Sequence, residues 1–204
     1  MEQKHAKYQR LLARCKELVP APTAVAHPCD ESSLRGAIEA AEMGLIRPLL
    51  VGPRDKILEV AKAAGLDVTP FEIIDAEHSH AAADEAVRLT REGRAELLMK
   101  GSLHTDELMG AVVRSGTGLR TNRRISHCFI MDVPHLDRPI FVTDAAINIF
   151  PTMEDKMHII QNAIDLALDL GIVKPKVAIL SAMETINPKL QSTIEAGALC
   201  KMAD

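Results

Sequence analysis

Aromatic side chains are scarce in this sequence, and it has no excess of positive charge. Its 204 residues include one Tyr, four Phe and no Trp, and the formal net charge is −4 at pH 7. Proteins that hold single-stranded nucleic acid stack its bases on aromatic side chains, and proteins that bind duplexes or anionic lipids present basic surfaces. We therefore expect neither nucleic acid nor a membrane among the partners.

Cysteine pairs and long apolar runs are missing as well. The four cysteines are scattered and form no C-x-x-C motif, which is typical of reduced thiols in the cytosol. No apolar run reaches the ~18 residues that a membrane helix needs. Residues 1–20 are charged where a signal peptide has an apolar core. We expect a cytoplasmic protein.

The sequence does contain a regular alternation of short apolar runs with longer segments of helical period. The helical segments have clear start signals, such as Asp30 before one and Thr152 with Asp155 as a capping box before another. Alternation of this kind predicts an α/β fold, with a mostly parallel sheet and helices on both faces. The predicted strands are Thr23–Ala26, Leu49–Gly52, Phe71–Ile74, Glu96–Met99, Ser126–Met131, Ile140–Val142 and Lys176–Leu180.

The alternation is weakest in Gly116–Pro139, where glycines and prolines bracket a basic stretch. We place a boundary near Met131–Pro139, which gives an N-terminal α/β lobe at 1–135 and the start of a second α/β lobe at 136–204. Folds of this kind bind ligands in clefts between lobes and at the carboxyl ends of parallel strands. Polar residues that follow a predicted strand are therefore the first candidates for a site.

The clearest candidate site follows the strand predicted to end at Met99. A cation, hydroxyl groups and backbone amides at a helix start suit a phosphate group. The residues that supply them here are Lys100, Gly101, Ser102, His104 and Thr105. The spacing matches neither GxxxxGK[ST] nor GxGxxG, so an ordinary connection with Thr105 as the helix N-cap stays an equal alternative.

A second candidate site is basic, because Arg120, Arg123 and Arg124 fall within five residues and Ser126 follows them. Guanidinium groups bind phosphate through two parallel hydrogen bonds and keep their charge. A solvated basic loop is the alternative, as it is for most runs of charge.

Two later strand ends carry the remaining candidates. Asp144 could position a substrate or act as a base, and Asn148 could donate to a carbonyl oxygen, although an Asx turn would use the same residues. Ser181 and Thr185 follow the strand predicted at Lys176–Leu180. We take Asp144, Asn148 and Ser181 as catalytic candidates and Thr185 as a substrate-binding one. Because no GxSxG motif, HExxH motif or paired histidine spacing is present, we expect neither a covalent serine nor a metal.

Six segments together resemble the phosphate acetyl/butyryltransferase family, in the family's order and across nearly the whole chain. The sequences of these segments are most similar to the branch often fused to an enoyl-CoA hydratase, although no hydratase domain is present in these 204 residues. The segments are Ala24–Leu34 (AVAHPCDESSL), Gly44–Gly52 (GLIRPLLVG), Leu98–Thr105 (LMKGSLHT), Gly118–Asp132 (GLRTNRRISHCFIMD), Thr143–Pro151 (TDAAINIFP) and Val177–Thr185 (VAILSAMET).

The resemblance implies an enzyme that moves a short acyl group directly between CoA and inorganic phosphate. Its ligands would be acyl-CoA, inorganic phosphate and acyl phosphate, with no metal, no further cofactor and no covalent enzyme intermediate. The resemblance also implies a two-lobe fold similar to that of the isocitrate and isopropylmalate dehydrogenases. Family members are usually homodimers with the site in the cleft between the lobes.

Carried over residue by residue, the five residues named between Lys100 and Thr105 fall on the family's substrate turn. Acetyl-specific members have an arginine on the next helix, about where Gly110 or Ala111 stands here. Arg114 or the later arginine cluster could substitute, so the choice between acetyl and butyryl chains stays open. The residues that fall on later segments of the family's cleft are Arg120, Ser126, Asp144, Asn148, Ser181 and Thr185.

Two other functions fit parts of the sequence. A non-catalytic module that senses acyl-CoA would bind acetyl-CoA without turnover, and a nicotinamide-dependent β-decarboxylating dehydrogenase of similar fold would need a cluster of acidic metal ligands, which is not evident. Members of the resembled family continue past Asp204 with further strands and a catalytic acidic residue. We therefore expect the second lobe to be incomplete and the 204 residues by themselves to be inactive.

Overall fold

The computed structural model describes residues 5–203, which form seven helices and six strands. The helices are α1 (Ala6–Cys15), α2 (Glu31–Glu42), α3 (Arg54–Ala64), α4 (Ser79–Arg91), α5 (Thr105–Val112), α6 (Met153–Asp169) and α7 (Gln191–Met202). The strands are β1 (Ala21–Ala26), β2 (Ile46–Gly52), β3 (Glu72–Asp75), β4 (Leu97–Lys100), β5 (Cys128–Met131) and β6 (Ile140–Thr143). Within residues 5–203, no helix combines the length and the apolar character that crossing a membrane requires.

The described residues divide into two compact units, one of residues 12–121 and one of residues 122–203 together with 5–11. This division falls earlier in the chain than the boundary expected between 135 and 136. The residues just after 121 belong with the later elements because their hydrogen bonds go there, as when Asn148 Nδ2 donates to the Ile125 carbonyl oxygen at 3.0 Å. The assignment of 1–135 and 136–204 as lobes of the whole protein stays a prediction.

The unit of residues 12–121 is built on a parallel sheet with the strand order β3-β2-β1-β4. The prediction of an α/β fold with a mostly parallel sheet is confirmed for this part of the chain. Four consecutive residues of β1 and five of β2 are buried, which is why both strands read as continuous apolar runs. The register pairs Ala26 with Val51 on one side and with Lys100 on the other, so the carboxyl ends of three strands lie at one edge.

Helices cover both faces of this sheet, as predicted. Alternate residues of a strand point to opposite faces, and β1 divides accordingly. Ala24 and Ala26 belong to an apolar core with α4 and α5, whereas Val25 packs into a second core with α2 and α3. The small side chains of β1 and α4, which contributes Ala82, Ala83 and Ala86, allow this helix to lie close to the strands.

The second unit departs from the predicted parallel arrangement. β5 and β6 pair antiparallel, with Cys128 opposite Thr143 and Met131 opposite Ile140. The strand predicted at Lys176–Leu180 is wrong, because this segment is irregular and Leu180 is 89% exposed. A strand is stabilised by ladder hydrogen bonds to a neighbour, and no strand among the described residues pairs with it.

Two of the predicted helix starts are confirmed and one alternative is corrected. Asp30 precedes α2 and accepts a hydrogen bond from the Ser33 amide at 2.7 Å. Thr152 and Asp155 form the reciprocal capping box at the start of α6. Thr105, in contrast, is the first helical residue of α5 and not its N-cap, a position held by His104. This places the Thr105 hydroxyl one residue further into the helix than a cap requires.

The close approach of backbone atoms at Gly101 predicts that an alanine there destabilises the protein, whereas an alanine at Gly110 does not. A Cβ on Gly101 would lie 2.4 Å from the Ala26 oxygen and 2.5 Å from the His27 oxygen, whereas one on Gly110 would meet nothing within 4 Å. We expect Gly101→Ala to lower the free energy of unfolding by ~1–3 kcal/mol, because backbone atoms must move apart. The matched Gly110→Ala change, inside α5, should raise it by ~0.5–1 kcal/mol.

Denaturant unfolding of the two variants beside the wild-type protein measures both effects. A Gly101→Ala variant as stable as the wild type would show that the strand ends are not held at the observed distance.

Candidate functional site

The candidate site begins where β1 and β4 end side by side. The amides of Gly101 and Ser102 donate to the carbonyl oxygens of Ala26 and His27, at 2.9 and 2.8 Å. These bonds continue the strand pairing for two residues past β4 and tie the loop after β1 to the turn before α5. A side chain on residue 101 would prevent this approach, so the glycine is required for close contact between the loops.

The Ser102 hydroxyl completes this connection. Its Oγ lies 2.9 Å from the His27 carbonyl oxygen, 3.2 Å from the Cys29 amide nitrogen and 3.1 Å from His27 Nδ1. A hydroxyl has one hydrogen to donate and two lone pairs, so these contacts use its whole capacity. Ser102 therefore joins the two loops, and a contact between Ser102 and a substrate stays a prediction.

His27 is a functional candidate that sequence reasoning missed, because the histidines were considered only for the spacing that metal binding requires. It is half-buried and has a left-handed backbone with φ of +55°. Burial lowers the pKa of His27, as does the positive charge of Lys56, while Glu107, a hydrogen bond with the Ser102 backbone and Asp30 oppose this shift. The imidazole is therefore neutral at physiological pH. The available signal was its position directly after the first buried strand.

The other predicted site residues of this unit are exposed. Lys100, His104, Thr105 and Arg120 are all exposed. The Lys100 ammonium group makes only a long contact, 3.3 Å, with the carbonyl oxygen of Gly101. Arg120 has no ion pair or hydrogen bond to any residue between 5 and 203. Both cations are thus available to an anionic ligand.

Asp144 and Asn148 lie in the second unit, in a loop that is held by hydrogen bonds to the Asp144 carboxylate. Asp144 accepts hydrogen bonds from the amides of Ala146, Ile147 and Asn148, each at 3.0 Å, and from the Asn148 side chain. Burial alone would raise the pKa of Asp144, but these hydrogen bonds, with a weaker one from the His127 amide, lower it to about 2. The Asx turn foreseen as the alternative is present, and it makes the carboxylate a weak proton acceptor at neutral pH.

The arginines that follow Arg120 are bound within their own unit. Arg123 donates to Asp165 on α6 at 2.6 Å, and Arg124 Nε donates to Asn148 Oδ1 at 2.8 Å. Ser126 Oγ accepts a hydrogen bond of 2.8 Å from the Asn162 side chain. The structure thus connects Arg124, Ser126, Asn148 and Asp144, through α6 and the Asp144 loop, into one network, in which each polar group already has a protein partner.

Ser181 and Thr185 lie outside this network, in the irregular segment before α7. Ser181 Oγ is 2.8 Å from Ser192 Oγ, and Thr185 is exposed. Across the described part of the chain, no hydrogen bond joins either residue to Asp144 or Asn148. Their assignment to the site stays a prediction.

A surface groove of about 500 Å³ lies between α4 and α5. Its walls include Arg114 and Asp84, which form an ion pair at 2.9 Å, and it contains none of the predicted site residues. Arg114, considered above as a substitute for the arginine of acetyl-specific members, is therefore already paired. Among residues 5–203, no group of three or more His, Cys, Asp or Glu side chains is placed to hold a metal ion.

The fold and the junction at its edge define an α/β protein with its candidate ligand site at the carboxyl ends of parallel strands. The family model described as phosphate acetyl/butaryl transferase matches residues 81–204. This chain belongs to the phosphate acetyl/butyryltransferase family.

Relatives and solved structures are consistent with this membership. The chain is 63% identical over 199 residues to the phosphate acetyltransferase of Rhizobium meliloti, covering 98% of this chain and 63% of that protein. It is 39% identical over 197 residues to the phosphate butyryltransferase of Clostridium beijerinckii, covering 97% of this chain and 65% of that protein. A phosphotransacetylase structure from Streptococcus pyogenes matches with a TM-score of 0.77 at 18% identity, covering 96% of this chain and 70% of that one, which shows the fold alone. The chain thus spans less than two thirds of the length of both curated relatives.

The hydrogen bonds to Asp144 predict a pH-dependent contribution to stability. Because the folded pKa of about 2 lies below the unfolded value, the stabilisation is present above pH ~4 and is lost as the pH falls toward 2. Asp144→Asn should lower the free energy of unfolding at pH 7 by roughly 1–2 kcal/mol, less than the full shift because the group is partly solvated. The difference from the wild type should shrink at pH 3. Denaturant unfolding at both pH values measures it, and an equal difference at the two would rule out the ionised carboxylate as the cause.

Proposed function

We propose that the whole protein transfers a short acyl group between CoA and inorganic phosphate. The observation that carries this proposal is the 63% identity, across 98% of the chain, with a relative named phosphate acetyltransferase. Because the chain spans 63% of that relative, the activity is proposed for the whole protein. Both acetyl- and butyryltransferases are among the relatives, so the proposal names short acyl chains.

The chemistry of the reaction fits the exposed cationic groups of the unit of residues 12–121. The thiol of CoA, with a pKa near ~8.5, must lose its proton to attack, and the acyl phosphate needs cations to neutralise the departing phosphate. Lys100 and Arg120 are exposed and have no carboxylate partner among residues 5–203. Their exposure and lack of a carboxylate partner support these two side chains as the proposed phosphate ligands.

The oligomeric state, the detailed fold and the cofactor use that we propose follow from family membership. They are a homodimer, a fold like that of the isocitrate and isopropylmalate dehydrogenases, and a reaction without metal or further cofactor. All four cysteines are unpaired, which supports a reducing compartment such as the cytoplasm.

The proposed reaction predicts thioester formation under metal-free conditions. The whole protein, supplied with CoA and either acetyl phosphate or butyryl phosphate in the presence of a chelator, should form acyl-CoA, which absorbance of the thioester bond measures. Added NAD should change nothing. Tight acetyl-CoA binding without turnover of either acyl phosphate would instead support an acyl-CoA-sensing module.

The different partners of the arginines predict different effects of their removal. Arg120→Ala should raise the KM for acyl phosphate about tenfold or more, since a charge-assisted hydrogen bond contributes ~1.5–3 kcal/mol. Arg123→Ala is the matched control. It removes a surface pair with Asp165, so it should leave the KM unchanged and lower the free energy of unfolding by at most ~1 kcal/mol.

Steady-state kinetics and denaturant unfolding on both variants provide the test. A raised KM in Arg123→Ala with a normal one in Arg120→Ala would reverse the assignment.

A further inference from the structure

We infer that Lys56, on the first turn of α3, binds a phosphate group of the substrates at the same sheet edge as Lys100. This inference rests on the function proposed above and adds a binding residue to it. CoA carries phosphate on its ribose and in its diphosphate, and an acyl phosphate carries it at the reacting end. Sequence reasoning did not select Lys56, because this residue follows neither a glycine turn nor a run of arginines.

The order of the strands brings Lys56 and Lys100 to one edge. β1 lies between β2 and β4, and Ala26 pairs with Val51 on one side and with Lys100 on the other. Because neighbouring strands lie ~4.8 Å apart, the ends of β2 and β4 are separated by about 10 Å. β2 ends at Gly52, shortly before α3 begins, and Lys100 is the last residue of β4. The two lysines therefore stand on either side of the loop that follows β1.

The start of α3 packs closely against that loop. A Cβ on Gly52 would lie 3.4 Å from His27 Cα and 3.6 Å from Cys29 Sγ, both in the loop. The same Cβ would lie 3.6 Å from Ile57 Cδ1 on α3. Ile57 is fully buried in the core and holds the first turn of the helix in place, whereas the preceding Lys56 is exposed. Lys56 thus extends into solvent from a fixed position beside the loop.

The titratable groups next to Lys56 carry no negative charge. Burial lowers the pKa of His27 and the charge of Lys56 lowers it further, so the imidazole is neutral at physiological pH. Burial raises the pKa of Cys29 to about 11, against the effect of Lys56, so the thiol keeps its proton. Asp55 precedes Lys56, but consecutive residues of a helix do not face each other. The Lys56 ammonium group has no ion pair or hydrogen bond among residues 5–203.

Two carboxylates at this edge, Asp30 and Asp75, have other partners. Asp30 Oδ1 accepts hydrogen bonds from the Ser33 amide at 2.7 Å and from the Ser33 hydroxyl at 2.6 Å, at the start of α2. Asp75 Oδ1, at the end of β3, accepts from the Arg54 amide at 2.9 Å. Neither carboxylate is paired with Lys56, so the positive charge of this lysine is available to an anion.

The substrates of the proposed reaction need several cations. A phosphate monoester carries ~1.5–2 negative charges at pH 7, and CoA has a diphosphate in addition. An ammonium group binds phosphate as a point charge with three donors, and the long lysine side chain can adjust to the position of the ligand. Lys56 joins Lys100 and Arg120 as an exposed cation without a carboxylate partner among residues 5–203. It shares with Lys100 the edge that carries the candidate site.

Replacing Lys56 by Ala tests the inference in the whole protein. Lys56→Ala should raise the KM for one phosphate-bearing substrate about tenfold, because a charge-assisted hydrogen bond is lost. The kcat should change little, since the side chain binds the substrate without reacting. Lys56→Arg keeps the positive charge and should retain most of the affinity. Steady-state kinetics of thioester formation, with CoA and acyl phosphate varied separately, measures these effects.

The pattern of the KM values identifies which phosphate Lys56 binds. If it is the ribose phosphate, Lys56→Ala should weaken binding of CoA and leave dephospho-CoA, which lacks that group, unaffected. If it is the diphosphate, binding of both nucleotides should weaken equally. If it is the acyl phosphate, the KM for that substrate should rise and inhibition by inorganic phosphate should weaken. Each of the three patterns supports the role of Lys56.

Lys62→Ala is the matched control, because Lys62 is an exposed lysine on the last turn of the same helix. It changes the net charge and the helix composition as Lys56→Ala does, and it should keep every KM at the wild-type value. Unchanged KM values in Lys56→Ala for CoA, dephospho-CoA and acyl phosphate would overturn the inference. An equal rise in Lys62→Ala would overturn it as well, since the effect would then come from net charge.

Calorimetric binding separates this inference from the proposed function. Desulfo-CoA, which lacks the thiol, and inorganic phosphate can be titrated into the wild-type protein and both alanine variants without turnover. A wild-type protein that forms no thioester would refute the proposed function, and weaker binding of either ligand by Lys56→Ala alone would still support the role of Lys56. Wild-type affinity of Lys56→Ala for both ligands would refute the role of Lys56, whatever the activity. Lys56→Gln, which keeps a long polar side chain without the charge, repeats the test if Lys56→Ala does not fold.

Discussion

The junction between the ends of β1 and β4 is the constraint on which the candidate site depends. Two backbone hydrogen bonds from Gly101 and Ser102, and the bonds of the Ser102 hydroxyl, hold the loop after one strand against the turn after the other. The approach is close enough that a Cβ on residue 101 would overlap two carbonyl oxygens. Because the junction extends the sheet, its position is set by the apolar packing on both faces, and the polar groups on it inherit the rigidity of the core.

The parallel sheet was predictable from the sequence because its signals are local. A strand buried on both faces must be apolar along its length, and the helix between β1 and β2 begins at a clear cap, Asp30. Lys176–Leu180 shows where that reasoning fails. Its composition favours a strand, but a strand also needs a partner, and the choice of partner is made at long range. The antiparallel pairing of β5 with β6 was missed for the same reason.

The candidate site was only partly predictable, because its side chains acquire their roles from distant partners. The turn containing Lys100 and Ser102 was identified, yet the use of the Ser102 hydroxyl depends on His27, 75 residues earlier. The basic cluster looked uniform in sequence. In the structure, Arg123 pairs with Asp165, which lies 42 residues later, whereas Arg120 has no such partner among residues 5–203. Charge pattern alone could not show which arginine has a protein partner and which does not.

A polar residue at the end of a strand can either complete the fold or remain available to a ligand, and the count of its hydrogen bonds distinguishes the two. Asp144 receives five hydrogen bonds from its own loop and the His127 amide, so its negative charge is already stabilised and a proton gains little by joining it. His27 is the opposite case. One nitrogen is committed to Ser102, which fixes the ring, and the other has no partner among the described residues. Lys100, the last residue of β4, likewise has no carboxylate partner among residues 5–203, so its charge remains available to a ligand.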